Sequence, residues 1–419
     1  MAEQQRSAAS KAANFHTEEV SLEATGVVGA ASGVAAPTGP RRGGQTAGST
    51  SLMAVLPRTV ATDQGPQLVH EGRVRYEPVK ALGEGAFGEV ELARDNDIDR
   101  MVALKRLKPD WLDADSLARF AGEVQVIGQL EHPGIVPVHD VGLDERGYFF
   151  VMKFVEGETL ERLIERLRAG DPAALAQYSH EARAQLFLQL CQALQYAHNK
   201  GLIHRDIKPA NIMIGPYGEV MLMDWGLAKR VGTFDARLAP GQSNVSAYNT
   251  MLGHAIGTPM YMPPEQARGE HDRCDARSDV YSLCAVFFEL MSLQSYLGPK
   301  RDVQEILDAV KSQPAPGPLE THHRYGIPPE YAWIVWQGLQ KEPDARFQSV
   351  AQLGQRIRAA LEGRGSVQCP CTGMKRVGGA WSRFIDRHGV ASIVIAGVVL
   401  ILFGVGVVTT LSAAVRAVM

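Results

Sequence analysis

Asp206, Lys208 and Asn211 stand together in the turn-rich stretch HRDIKPANIM, and Asp224 follows 18 residues after Asp206. These residue types suit the transfer of a phosphoryl group to a hydroxyl. An aspartate beside a hydroxyl orients it and accepts its proton. An asparagine amide oxygen and a second carboxylate are hard ligands of the kind Mg²⁺ takes, and a lysine balances charge on the moving group. The run EVMLM before Asp224 reads as the returning strand of a hairpin. Each residue alone is ordinary; the joint set of spacings carries the reading.

LGEGAFGEV places Gly83, Gly85 and Gly88 in G-x-G-x-x-G-x-V order. Glycines let backbone amides turn sharply and approach phosphates. The same pattern occurs in dinucleotide folds, where a helix must follow the glycines. Here EVELARD alternates as a strand, which favours a hairpin lid over phosphates. VALK ends the next strand with Lys105, a point charge able to reach phosphate oxygens, although by itself it reads as a surface lysine. Glu123 lies among Phe120, Val124 and Ile127 of a helical stretch. Its carboxylate either pairs with Lys105 or stays exposed.

Short alternating runs over YEPVKALGEGAFGEVELARD, RMVALKRLK and YFFVMKFVEG predict strands. SLARFAGEVQVIGQLEHPG, TLERLIERLRAG, HEARAQLFLQLCQALQYAHNKG, SDVYSLCAVFFELMS and SVAQLGQRIRAALEG predict helices. A small strand-rich part followed by a larger helical part is an α+β order. Residues 1–72, rich in Ala, Gly, Ser and Thr, bury too little apolar surface to offset ordering and are expected to be disordered.

At this point a resemblance is visible. Residues 76–361 resemble a eukaryotic-type serine/threonine protein kinase domain of the bacterial kind. It rests on the glycine loop, Lys105, Glu123, His204-Arg205-Asp206, Asn211, Asp224-Trp225-Gly226 and GTPMYMPPEQA, and continues through Asp279 to Arg346. The resemblance implies a bilobal fold, a small β-rich N-lobe and a larger helical C-lobe, in a domain spanning 73–362. It implies that Leu82, Gly83, Glu84, Gly85, Ala86, Phe87, Gly88, Glu89 and Val90 cover ATP. Ala103, the gatekeeper Met152 and the hinge from Lys153 to Val155 would flank the adenine. Lys105, paired with Glu123, would hold phosphates; Asp206 would be the catalytic base and Lys208 would touch the γ-phosphate. Asn211 and Asp224 would hold Mg²⁺, with Mn²⁺ an alternative, and Thr258 would help seat a serine or threonine substrate. Glu265 and Arg346 would form a buried pair. Protein substrates, autophosphorylation, a homodimer serving it and a role in signal transduction follow from the same likeness. Thr250, Ser246 and Ser243 are the phosphosite positions, since a phosphate between Asp224 and Glu265 can pair with Arg205. Trp225 departs from the usual phenylalanine but leaves Asp224 intact; its larger ring is expected to hold the turn inward, with its N–H finding a partner. The competing expectation is an ATP-binding pseudokinase acting as a scaffold.

Gly389 to Val415 holds no charged residue. A helix of about 22 residues spans roughly 33 Å, enough for a hydrocarbon core. Lys375, Arg376, Arg383 and Arg387 precede the run and only Arg416 follows, which puts the preceding side in the cytoplasm. The expected order is therefore a linker at 363–388, a transmembrane helix at 389–412 and a short tail at 413–419 in the inner cell membrane. The opening residues lack the apolar run of a secretory signal. A net charge of −3 argues against nucleic-acid binding. Five cysteines, few and odd in number, argue against a disulfide framework.

Overall fold

The computed structural model describes residues 58–62, 65–69, 74–84, 88–108, 114–230 and 258–364, with isolated positions 377, 402 and 406. The first strands are β1 (Arg58–Thr62) and β2 (Gly65–Val69), an antiparallel pair closed at Thr62 and Gly65. This corrects the expectation of disorder through residue 72. Thr59, Val60, Leu68 and Val69 favour extended backbone, and Gly65 takes φ +104°, a conformation side chains disfavour. Averaged composition conceals so short a hairpin.

β3 (Tyr76–Glu84), β4 (Gly88–Asp95), β5 (Arg100–Leu107), β6 (Val138–Asp144) and β7 (Gly147–Lys153) form an antiparallel sheet in the order β3-β4-β5-β7-β6. The register sets Lys105 beside Val90 on one side and Phe150 on the other. Alternation then sorts the faces. Tyr76, Ala93, Val102, Leu104, Phe149 and Val151 form one small core. Phe150 and Leu107 face the other way, where α1 (Ala114–Ile127) packs Phe120 against Phe150 at 5.4 Å between ring centres. That packing brings Glu123 over the Lys105 face of the sheet.

β8 (Glu158–Thr159) leads into the helical part, which begins with α2 (Leu160–Arg168), α3 (Pro172–Gln177) and α4 (His180–Asn199). The helices start where Thr159, Asp171 and Ser179 accept hydrogen bonds from first-turn amides. β9 (Leu202–Ile203), β10 (Ile212–Ile214), β11 (Val220–Leu222) and β12 (Lys229–Arg230) are short strands between α4 and the later helices. Those are α5 (Pro264–Ala267), α6 (Ala276–Ser292), α7 (Val303–Ser312), α8 (Pro318–Tyr325), α9 (Pro329–Gly338) and α10 (Val350–Leu361). Every residue of α6 from Ser278 to Ser292 is buried. Its largely apolar sequence has that cause: α4, α9 and α10 pack around it. Cys191 and Cys284 are free thiols inside this core.

Among the described residues no helix is long and apolar enough to cross a membrane. The run expected to do so, 389–412, lies outside the described residues except for Leu402 and Gly406.

Candidate active site

The β3–β4 hairpin carries the glycines. A Cβ on Gly88 would lie 2.5 Å from the Arg106 carbonyl oxygen, so a side chain cannot fit there. Gly83, Leu82 and Glu84 end β3 on its exposed side, and Glu84 pairs with Lys108 at 2.6 Å. Gly85, Ala86 and Phe87 lie outside the described residues. Beyond the glycines, Glu89 and Val90 continue β4 and Ala103 is buried on β5. Met152 ends the apolar stretch of β7 and packs with Val136, Val155 and Met221. The exposed Lys153 commits its backbone N–H to Pro137 O at 3.1 Å.

Lys105 Nζ donates to Glu123 Oε1 at 2.6 Å and stands 3.6 Å from Asp224 Oδ1. Burial alone would lower the lysine's pKa, but Asp224 and Glu123 outweigh it and hold the ammonium charged. The same ammonium holds Asp224 below the usual carboxylate range, against burial. Asp224 remains 46% exposed, opening outward from the ion pair.

Asp206 follows β9 in a tight loop. Its Oδ2 accepts from Lys208 Nζ at 2.8 Å and from Asn211 Nδ2 at 3.1 Å. Oδ1 has no donor among the described residues, which leaves one oxygen basic and open. Burial raises the carboxyl's pKa, and Lys208 opposes this. Asn211 Nδ2 also donates to the Asp206 carbonyl at 2.9 Å, so its amide nitrogen is committed, while its oxygen meets no donor among the described residues. The short turn Pro209–Asn211 and the pairing of β10 with β11 return the chain to Asp224, as Met223 N–H donates to Asn211 O at 2.9 Å.

Arg205 takes φ +67° and Asp224 φ +58°, left-handed conformations that ordinary residues adopt only when their surroundings impose them. Asp279, wholly buried in the first turn of α6, supplies the constraint at Arg205. Its Oδ2 accepts the His204 N–H and its Oδ1 the Arg205 N–H, both at 2.9 Å. His204 Nδ1 accepts the Asp206 N–H at 3.2 Å, and Nε2 faces Met223 O at 3.1 Å. A peptide N–H only donates and a carbonyl only accepts, so the ring carries its proton on Nε2. Trp225 is 1% exposed and stacks obliquely on that ring at 4.6 Å. Its Nε1–H is buried with no partner among the described residues, contrary to the sequence expectation.

The arrangement gathers the Glu123 and Asp224 carboxylates around a charged Lys105, and holds Asp206 with Lys208 and Asn211 in the loop that β10 and β11 connect to Asp224. A model of the protein kinase domain matches residues 76–356. The chain belongs to the protein kinase family. Its sheet and helical part are the two lobes of the kinase fold. Over 303 residues it is 33% identical to serine/threonine-protein kinase PknD of Protochlamydia amoebophila, covering 70% of this chain and 30% of that protein. A protein of the same name from Chlamydia caviae is 33% identical over 301 residues, 69% of this chain and 31% of its own length. A probable serine/threonine-protein kinase of Streptomyces coelicolor is 36% identical over 296 residues, 69% of this chain and 40% of that protein. The chain therefore spans well under half the length of these relatives.

Thr258 opens a short turn, Thr258–Tyr261; its side chain lies outside the described residues, as do Thr250, Ser246 and Ser243. Tyr261 donates to Glu289 of α6, and Arg168 at the end of α2 reaches the other oxygen of the same carboxylate at 3.1 Å. Glu265 and Arg346 form a buried two-pronged pair at 2.8 and 2.9 Å. Spacing alone had no signal for Glu289 or for the work of Asp279. Both serve residues that are distant along the chain.

Proposed function

We propose that this chain is a serine/threonine protein kinase, transferring the ATP γ-phosphoryl group to protein hydroxyls, its own included. The carrying observation is Asp206, with Oδ1 open and Oδ2 held by Lys208 and Asn211. A substrate hydroxyl at Oδ1 is oriented in line and loses its proton to that oxygen. Lys208, 2.8 Å away, balances charge on the transferred group, and Lys105 anchors the other phosphates in the direction set by Glu123. Asp224 and the free Asn211 oxygen offer the hard donors Mg²⁺ requires. The metal, when bound, neutralises phosphate charge. The β3–β4 hairpin would cover the phosphates, and Met152 and Val155, which pack together, would border the adenine.

Gly389–Val415, uncharged and flanked on its N-terminal side by Lys375, Arg376, Arg383 and Arg387, supports a membrane-anchored enzyme with a cytoplasmic kinase domain. Thr250 is the first autophosphorylation position to examine, with Ser246 and Ser243 next, and pairing of two copies would serve that reaction in trans.

The test is transfer of label from ATP with Mg²⁺ by the full chain, wild type beside Asp206→Asn, with mass spectrometry of residues 231–257. Label on the wild type and at least ~100-fold less on the variant is expected. Metal-dependent ATP binding without transfer would replace this reading with that of a scaffold.

A further inference from the structure

Gln266 lies in the short helix α5 and is buried. It stands next to Glu265 but takes no part in the Glu265–Arg346 ion pair. Its side-chain Nε2 donates to the Arg205 carbonyl at 3.2 Å, across 61 positions of sequence. A buried amide has to find a hydrogen-bond partner. Here the partner is the peptide that leads into Asp206.

That peptide is held on both edges. Its oxygen accepts from Gln266, and its N–H, which belongs to Asp206, donates to His204 Nδ1 at 3.2 Å. Arg205 sits at φ +67°, and the N–H of its preceding peptide goes to Asp279. A non-glycine residue keeps such a conformation only while its surroundings impose it. Asp279 holds the peptide before Arg205, and Gln266 holds the one after it. The orientation of that second peptide sets the direction in which the Asp206 side chain leaves the backbone. The restraint arrives from the segment that follows the turn Thr258–Tyr261, since α5 begins at Pro264. Glu265, the neighbour of Gln266, is locked by Arg346 at 2.8 and 2.9 Å and by Ser278 at 2.6 Å. The amide is therefore mounted on an anchored point of the helical lobe.

We infer that Gln266 is a positioning residue for phosphoryl transfer: it fixes the Arg205–Asp206 peptide relative to the Thr258–Tyr261 segment, and so sets Asp206 against an acceptor hydroxyl seated there. It acts through that peptide and not on the nucleotide or the acceptor. The inference rests on the reading of Asp206 as the base. Small displacements of a reacting group are costly in rate. Lys105 and Glu123, which would hold the ATP phosphates, do not depend on this contact.

The test compares wild type with Gln266→Met and Gln266→Glu in the full chain. Methionine matches the length of glutamine and removes the donor. Glutamate keeps the shape but sets a carboxylate oxygen against the Arg205 carbonyl. In Gln266→Met, kcat for peptide phosphorylation falls roughly 10-fold or more while KM for ATP stays within about 2-fold. Gln266→Glu loses at least as much. Exchange of the Asp206 amide, read by mass spectrometry from overlapping peptides that differ by that residue, quickens roughly 10-fold in both variants. If Gln266→Met does not fold, Gln266→Leu replaces it, with the same losses expected. Wild-type kcat in the donorless variants, unchanged exchange at Asp206, or a KM for ATP that rises in step with the fall in kcat overturns the inference. An inactive wild type would count against the kinase reading. The exchange measurement then still decides this one, because unchanged protection of the Asp206 amide would show that Gln266 does not hold the peptide.

Discussion

Trp225 is the residue at which the chain departs most visibly from its family, and its indole N–H is buried without a partner among the described residues. Leaving such a donor unmet costs about 1–3 kcal/mol. Shrinking the ring to benzene forfeits packing worth about the same, since a residual cavity follows any large-to-small change in a core. Trp225→Phe is therefore expected to shift stability by less than about 1 kcal/mol and to keep kinase activity. Denaturant midpoints read the outcome; a loss of several kcal/mol would mean that the N–H is satisfied by water and that packing dominates. The inward turn itself does not rest on the indole N–H. Asp224 faces Lys105, and a Cβ on Gly226 would sit 3.3 Å from Asp224 Oδ1 and 3.4 Å from Glu123 Oε2, close enough that a larger residue would press on both carboxylates.

Between elements, Lys341 is the informative junction. It follows α9, and its Nζ donates to Tyr281 OH on α6 and to Val310 O on α7, both at 2.8 Å. The ammonium also lies over the rings of Tyr281 and Tyr296 at 5.3 and 5.4 Å. Burial, then repulsion from Arg346 and Arg268, pushes its pKa down to about 8. A lysine in the unfolded chain titrates near ~10.4. Below pH 8 both states carry the proton and the cost of burying charge is present in full. Between about 8 and 10.4 the unfolded chain binds more protons, so this group's contribution rises with pH. Wild type should gain about 2–3 kcal/mol on Lys341→Met between pH 7 and pH 10, less whatever solvent screening removes. Urea midpoints of both proteins across that range check it, and a constant gap would show that Lys341 titrates normally.

At the scale of the whole kinase domain, the candidate active site exists only when both lobes are folded and joined. Lys105 and Glu123 come from the sheet lobe, and Asp206, Asn211 and Asp224 from the helical lobe. The segment after α1 is stitched to β11, with Leu222 N–H donating to Gly134 O at 2.9 Å and Val136 N–H to Leu222 O at 3.3 Å. The helical lobe depends in turn on Glu265 and Arg346. Arg346 also reaches the carbonyls of Gln340, Lys341 and Arg277, and Ser278 donates to Glu265 at 2.6 Å. Arg346→Ala strands a buried carboxylate and is expected to cost about 3–5 kcal/mol in denaturant unfolding. Replacing both partners with methionine should cost less than the sum of the single changes; an additive result would mean that the pair is not coupled.

Much of this architecture was legible beforehand. The strands at Tyr76–Glu84, Gly88–Asp95, Arg100–Leu107 and Gly147–Lys153, the helices at 160–168, 180–199 and 350–361, and the largely apolar α6 follow from periodicity, caps and turns, which are local properties, whereas β6 went unread. Lys105, Asp206, Asn211 and Asp224 were nameable for the same reason, since each sits at a set offset from a turn or strand end. The hairpin at 58–69 escaped because composition was averaged over a long polar segment. What the tertiary structure alone decided are contacts across long separations: Asp279 with His204 and Arg205, 75 and 74 positions apart, and Glu265 with Arg346, 81 apart. The Asp206 Oδ1 and the Trp225 N–H, both without a partner among the described residues, belong to that group. Whether a polar atom is satisfied depends on which distant atoms arrive beside it, and chain closure, not local preference, determines that.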